Sequence, residues 1–92
     1  MKIFKGLLSM NTLKLCFAKA KEEDHLYIGV LVETAGHREI ISFRSDDFDY
    51  KLDYYTRNYD NHLRLKTAPD IVHIKAIAYG ESLSELRRLW SV

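Results

Sequence analysis

Ninety-two residues, with 14 basic and 13 acidic side chains and a formal net charge of +1, leave room for one hydrophobic core and supply no overall attraction for a nucleic-acid backbone or an anionic membrane. An apolar fraction of 47%, with six Tyr, four Phe and one Trp, excludes a disordered chain, because that much apolar area can offset the entropy of ordering. Cys16 is the sole cysteine, which excludes an intramolecular disulfide and a multi-thiolate zinc site within one chain, and fits a reducing, cytoplasmic setting.

The stretch Met1-Lys2-Ile3-Phe4-Lys5-Gly6-Leu7-Leu8-Ser9 begins like a secretion signal, but Asn11 and Lys14 interrupt the apolar run and no small-residue cleavage site follows. Residues 1–9 are expected to be a weakly attached extension, and residues 10–92 a single α+β domain. No segment approaches the roughly 20 apolar residues that cross a bilayer. From Asn11, Leu13, Leu15 and Phe17 alternate with Lys14, Cys16 and Ala18, and this period of two predicts a first strand over 11–19. The charged run Lys19 to Asp24 predicts a surface turn.

A second strand is predicted over 25–34, with Leu26, Ile28, Val30 and Val32 on one face. Ala35-Gly36 then forms a two-residue hairpin loop, where glycine supplies positive φ without steric penalty. The third strand, 37–44, is thereby set in register: Glu33 opposite Arg38, Val30 opposite Ile41 and Ile28 opposite Phe43. Ser45 is a candidate N-cap, aspartates crowd the turn after it, and Phe48, Leu52, Tyr55 and Tyr59 recur at helical spacing, so a helix is predicted over 46–58.

His62 to Lys66 reads as a short extended piece and Thr67-Ala68-Pro69-Asp70 as a turn. Ile71 to Tyr79 predicts a fourth, central strand whose better-buried side carries Val72, Ile74, Ala76 and Ala78, the alanines admitting a closely packed helix. Gly80 ends it. Ser82-Leu83-Ser84-Glu85 is a capping box, and Leu83, Leu86, Leu89 and Trp90 form the apolar stripe of a terminal helix with Arg87 and Arg88 near its negative end. The order βββαβα points to a mainly antiparallel four-stranded sheet with helices packed on one face.

Five carboxylates and four tyrosines fall within residues 46–60. Asp46, Asp47, Asp49, Tyr50, Asp53 and Tyr54 are the candidate partner-binding residues: tyrosine offers large contact area at low entropic cost, and aspartate steers a basic surface inward. Their bland reading is a surface helix whose aspartates complement its dipole and whose tyrosines pack on the sheet. An alternative surface for single-stranded nucleic acid combines Arg57, Arg64 and Lys66, which would hold phosphates, with Tyr59, which would stack on a base. Against it stand the interleaved aspartates.

No calcium-loop spacing and no Gly-rich phosphate loop occur. His25, His37, His62 and His73 are isolated from one another, so no catalytic residue, metal site or cofactor is expected. Cys16 reads as structural. The chain is therefore expected to be a non-enzymatic protein–protein interaction module, an inhibitor or adaptor with a basic-surfaced protein partner. A homodimer through a half-covered sheet face bearing Cys16, Tyr27, Leu31, Ile40 and Ile77 is also expected.

Overall fold

Residues 10–22, where the alternation predicts a strand over 11–19, form a helix instead. A computed structural model describes residues 1–92, and in it α1 spans Met10–Glu22. The residues it buries, Leu13, Cys16, Phe17 and Ala20, are spaced i, i+3, i+4, i+7, the stripe of an amphipathic helix. Leu15, which the strand reading turned inward, is exposed. Ser9 caps the helix: its hydroxyl accepts from the Thr12 N–H and its own N–H donates to Thr12 Oγ1, both at 3.3 Å. That reciprocal pair satisfies two donors the first turn leaves orphaned. The expected turn at Lys19 to Asp24 is shifted too, because the helix runs through Glu22 and ends where Asp24 takes a positive φ of 56°.

Four strands make one antiparallel sheet: β1 (Lys2–Lys5), β2 (Tyr27–Thr34), β3 (His37–Arg44) and β4 (Val72–Gly80). Their spatial order is β1-β4-β2-β3. Residues 2–5, read from sequence as part of an extension, pair with β4 from Lys2 opposite Tyr79 to Lys5 opposite Ala76. The α+β class and the antiparallel four-stranded sheet are as expected. So is the hairpin, with Ala35 and Gly36 at φ of 50° and 86° and Glu33 opposite Arg38, Val30 opposite Ile41 and Ile28 opposite Phe43. Such positive φ values give the turn the same twist as the strands it joins.

Between Leu31 and Val32 the pairing with β4 slips by one residue. Val32 faces Ile74 and Leu31 faces Ala76, so Lys75 is the extra residue of a bulge, and side-chain parity reverses across it. The expected single side of Val72, Ile74, Ala76 and Ala78 is therefore split. Ile74, Ile77 and Tyr79 join the core beneath α1, while Ala76 and Ala78 face the other way.

The predicted helix after the hairpin is present as α2 (Phe48–Asn58), entered through a 3-10 turn at Ser45–Asp47. Ser45 makes no side-chain cap there. Helices α1 and α2 cover one face through an aromatic cluster in which the Phe17 ring lies 5.7 Å from Phe43 and 5.9 Å from Phe48. Fully burying one such ring is worth roughly 1.5–3 kcal/mol.

The terminal helix corrects the one-face expectation. Helix α3 (Leu83–Leu86), continued by a 3-10 segment at Arg87–Ser91, sits on the opposite face with Leu31, Ala76, Ala78, Leu86 and Leu89 as its core. Glycine at position 29 makes this seat: a Cβ there would meet Leu86 Cδ1 at 3.1 Å and Leu89 Cδ1 at 3.2 Å. Ser82 caps α3 by accepting from the Glu85 N–H. The Glu85 carboxylate accepts from Glu81 N–H rather than from the cap residue. Only half of the expected apolar stripe is sealed, since Leu83 and Trp90 are 53% and 51% exposed.

This arrangement also removes the free face expected to carry a homodimer. Cys16 and Ile77 lie in the α1 core, Leu31 is sealed beneath α3, and Tyr27 and Ile40 are half-buried beside it.

Candidate interaction surface

Helix α2 lies on the sheet by one side, through Phe48 and Tyr55, with Leu52 partly buried between them. At about 100° per residue, Asp49, Tyr50, Asp53 and Tyr54 occupy an arc of roughly 140° on the opposite side. Asp46 and Asp47, in the entry turn, extend that surface toward the helix start, and all six residues are exposed. The segment is thus divided by helical geometry: Phe48, Tyr55 and Tyr59 go inward and the six candidates outward.

Two of the aspartates have partners. Lys21 of α1 pairs with Asp49, and Arg57 Nε lies 3.1 Å from Asp53 Oδ2 one turn along. Asp46 and Asp47 are in no ion pair, so the negative charge that remains is concentrated at the helix entrance, where the macrodipole favours it. Tyr54 is steadied from both sides: its ring lies 5.3 Å from Tyr55 and 6.4 Å from Tyr59, and Lys51 Nζ stands 6.0 Å over it. Tyr50 is freer, at 72% exposed. The packed Tyr54 ring offers contact area with little further loss of side-chain freedom, and the more exposed Tyr50 adds to that area.

The residues proposed for nucleic acid do not assemble in the same way. Tyr59 is buried at 6% exposure and has no free ring face on which a base could stack. Its hydroxyl pKa is raised, first by that burial and then by Tyr54 and Glu39. Arg57 is engaged by Asp53. Arg64 turns aside to donate from Nη1 to the Pro69 carbonyl at 3.1 Å and lines a concavity with His62 and His73. Lys66 is left exposed and alone.

One polar cluster was not legible in the sequence. His25 Nδ1 lies 2.6 Å from Glu81 Oε1, off the angle of a good hydrogen bond, and its Nε2 lies 3.5 Å from Glu23 Oε1. Tyr79 donates its hydroxyl to Glu23 at 3.2 Å and packs its ring 4.5 Å from that of His25. No local signal joins residues 23 and 79; the pairing of Tyr27 with Gly80 brings them together. The cluster clamps the end of α1 to the end of β4. The nearby Cys16 thiol is buried, and that burial pushes its pKa up to about 12, favouring the protonated form.

Comparison with protein-family models, curated proteins and solved structures finds no match. No helix is long and apolar enough to cross a membrane.

Proposed function

We propose that this chain is a non-enzymatic protein–protein interaction module, an inhibitor or adaptor, that engages a basic protein surface through the outward side of α2 and its entry turn. One observation carries the reading: Asp46, Asp47, Asp49, Tyr50, Asp53 and Tyr54 are all exposed on the side of the segment away from its buried stripe. The unpaired Asp46 and Asp47 steer a cationic partner and set the salt dependence of encounter. Tyr50 and Tyr54 then supply the desolvated contact that holds it. A reducing, cytoplasmic setting accords with a single cysteine that is buried.

The test replaces Asp47, Asp49 and Tyr54 together by alanine. All three are exposed, so the far-UV spectrum and urea midpoint should stay near those of the parent. Affinity capture from the native cell, followed by mass spectrometry, should lose a specific basic protein that the parent chain retains and that elutes with rising salt. Retention of the same protein by parent and variant would end the proposal.

A further inference from the structure

The outer strand β3 has one edge that pairs with nothing, and a groove runs along it on the face opposite α1 and α2. A two-residue hairpin loop closes on a hydrogen-bonded pair, here Thr34 with His37, and such pairs then alternate along the ladder. The Ser45 N–H bond to Leu26 O at 2.8 Å confirms the phase at the far end. It follows that His37, Glu39, Ile41 and Phe43 turn their backbone groups toward β2, whereas Arg38, Ile40, Ser42 and Arg44 turn theirs outward.

Those same outward-bonding residues place their side chains on the α3 face, because Ile41 and Phe43 point into the opposite core and side chains alternate. Ile40 and Ser42 form one wall of the groove, and Leu83, Leu86, Arg87 and Trp90 form the other. The exposed parts of Leu83 and Trp90 are thus adjacent to an unused row of backbone donors and acceptors. Arg44, Arg87 and Arg88 are in no ion pair. Of the carboxylates on adjoining segments, Glu33 pairs with Arg38 and Glu85 accepts from the Glu81 N–H.

We propose that this edge and groove take up an extended acidic peptide as a fifth strand, its main chain pairing with Ile40 and Ser42, an apolar side chain seated against Trp90 and Leu83, and its carboxylates met by Arg44 and Arg87. This is the strand-addition mode of recognition, in which backbone bonds give affinity and alternate side chains give selectivity. Charge selects the occupant. A second copy docking edge to edge would gather Arg38, Arg44 and Arg87 of both chains into one strip, and facing like charges disfavour that. The inference stands apart from the α2 reading, since the two surfaces lie on opposite faces of the sheet.

Trp90 is the chain's one tryptophan, so its fluorescence reports directly on the groove. The probe is a synthetic octapeptide in which every second residue is threonine and the residues between alternate glutamate with valine, so that both kinds lie on one face of a strand, with the same peptide carrying lysine in place of glutamate as control. The acidic peptide should shift Trp90 emission to the blue in a saturable titration, and the basic peptide should leave it unchanged. Arg87→Glu should weaken the acidic peptide by about tenfold or more. Ser42→Pro deletes an outward N–H without touching the ladder to β2 and should weaken binding with the urea midpoint little changed. No emission change at millimolar peptide, or equal responses to both peptides, would overturn the proposal. So would a blue shift that grows with protein concentration alone and accompanies dimer formation in sedimentation, which would assign the groove to a second copy.

Discussion

His73 is held below its ordinary pKa of 6.5, first by burial and then by the neighbouring charges of Arg64 and Lys75, with Glu33 opposing them. In the folded protein its imidazole stays neutral where the unfolded chain would already take a proton. The unfolded state thus binds more protons between the two values, and stability rises with pH across that window. His73 therefore contributes stability that is present above 6.5 and is lost as the pH falls through that value toward the folded one. The urea midpoint should decline from about pH 7.5 to about pH 5, and His73→Asn should flatten that decline; equal declines in both proteins would remove His73 as its source. Asp60 acts in the same direction but only in stronger acid, being held below 3.8 mainly by the N–H of Arg64 and then that of His62. None of this was legible in the sequence, where His73 was an outward residue of a strand, because the depressing charges come from a loop and a bulge.

Leu13, Cys16, Phe17 and Ala20 of α1 satisfy a helical period, and Leu13, Leu15 and Phe17 a strand period. Local pattern does not choose between them. Two features outside the pattern decide: the Ser9–Thr12 capping pair, in which threonine stands where glutamate is the familiar signal, and a sheet face that α1 is wide enough to cover. The β2–β3 hairpin was readable because its turn chemistry and its alternation agree and lie within 18 residues. Strand β4 was readable as a strand, yet its faces were not, since a bulge at Lys75 is a property of the pairing with β2. Gly29 shows the same dependence for α3. A valine there would drive methyl groups into Leu86 and Leu89, an overpacking that costs about 1–3 kcal/mol. Gly29→Val should therefore loosen the terminal helix while the sheet persists: Trp90 emission should move to the red, with the far-UV strand signal retained. Unchanged emission would mean that the seat of α3 tolerates the added volume.

Across the whole molecule, a formal net charge of +1 conceals an uneven distribution. The α2 side presents Asp46 and Asp47 unpaired, and the α3 side presents Arg44, Arg87 and Arg88. On the two proposals above, a basic and an acidic partner would occupy opposite faces of one sheet. The α3 side owes its cover to the last ten residues, which seal Leu31, Ala76 and Ala78. Arg38 Nη1 ties the chain end in place by donating to the Val92 carbonyl at 2.7 Å. Removing residues 83–92 should expose that apolar patch and make the chain self-associate, read as a concentration-dependent rise in sedimentation coefficient. A truncated chain that stayed monomeric at high concentration would show that this cover is dispensable.

The amino-acid order by itself determined the hairpin and its register, the inward and outward sides of α2, and the serine cap of the terminal helix. Each rests on residues a few positions apart, whose turn angles, periodicity and hydrogen-bonding groups act locally. Tertiary structure alone decided that residues 2–5 close the sheet, that the faces of β4 split at a bulge, and that α3 crosses to the face where Gly29 leaves room. Those outcomes depend on which apolar surfaces meet across the fold and how much space lies between them, and such distances arise only when segments remote in the chain pack together.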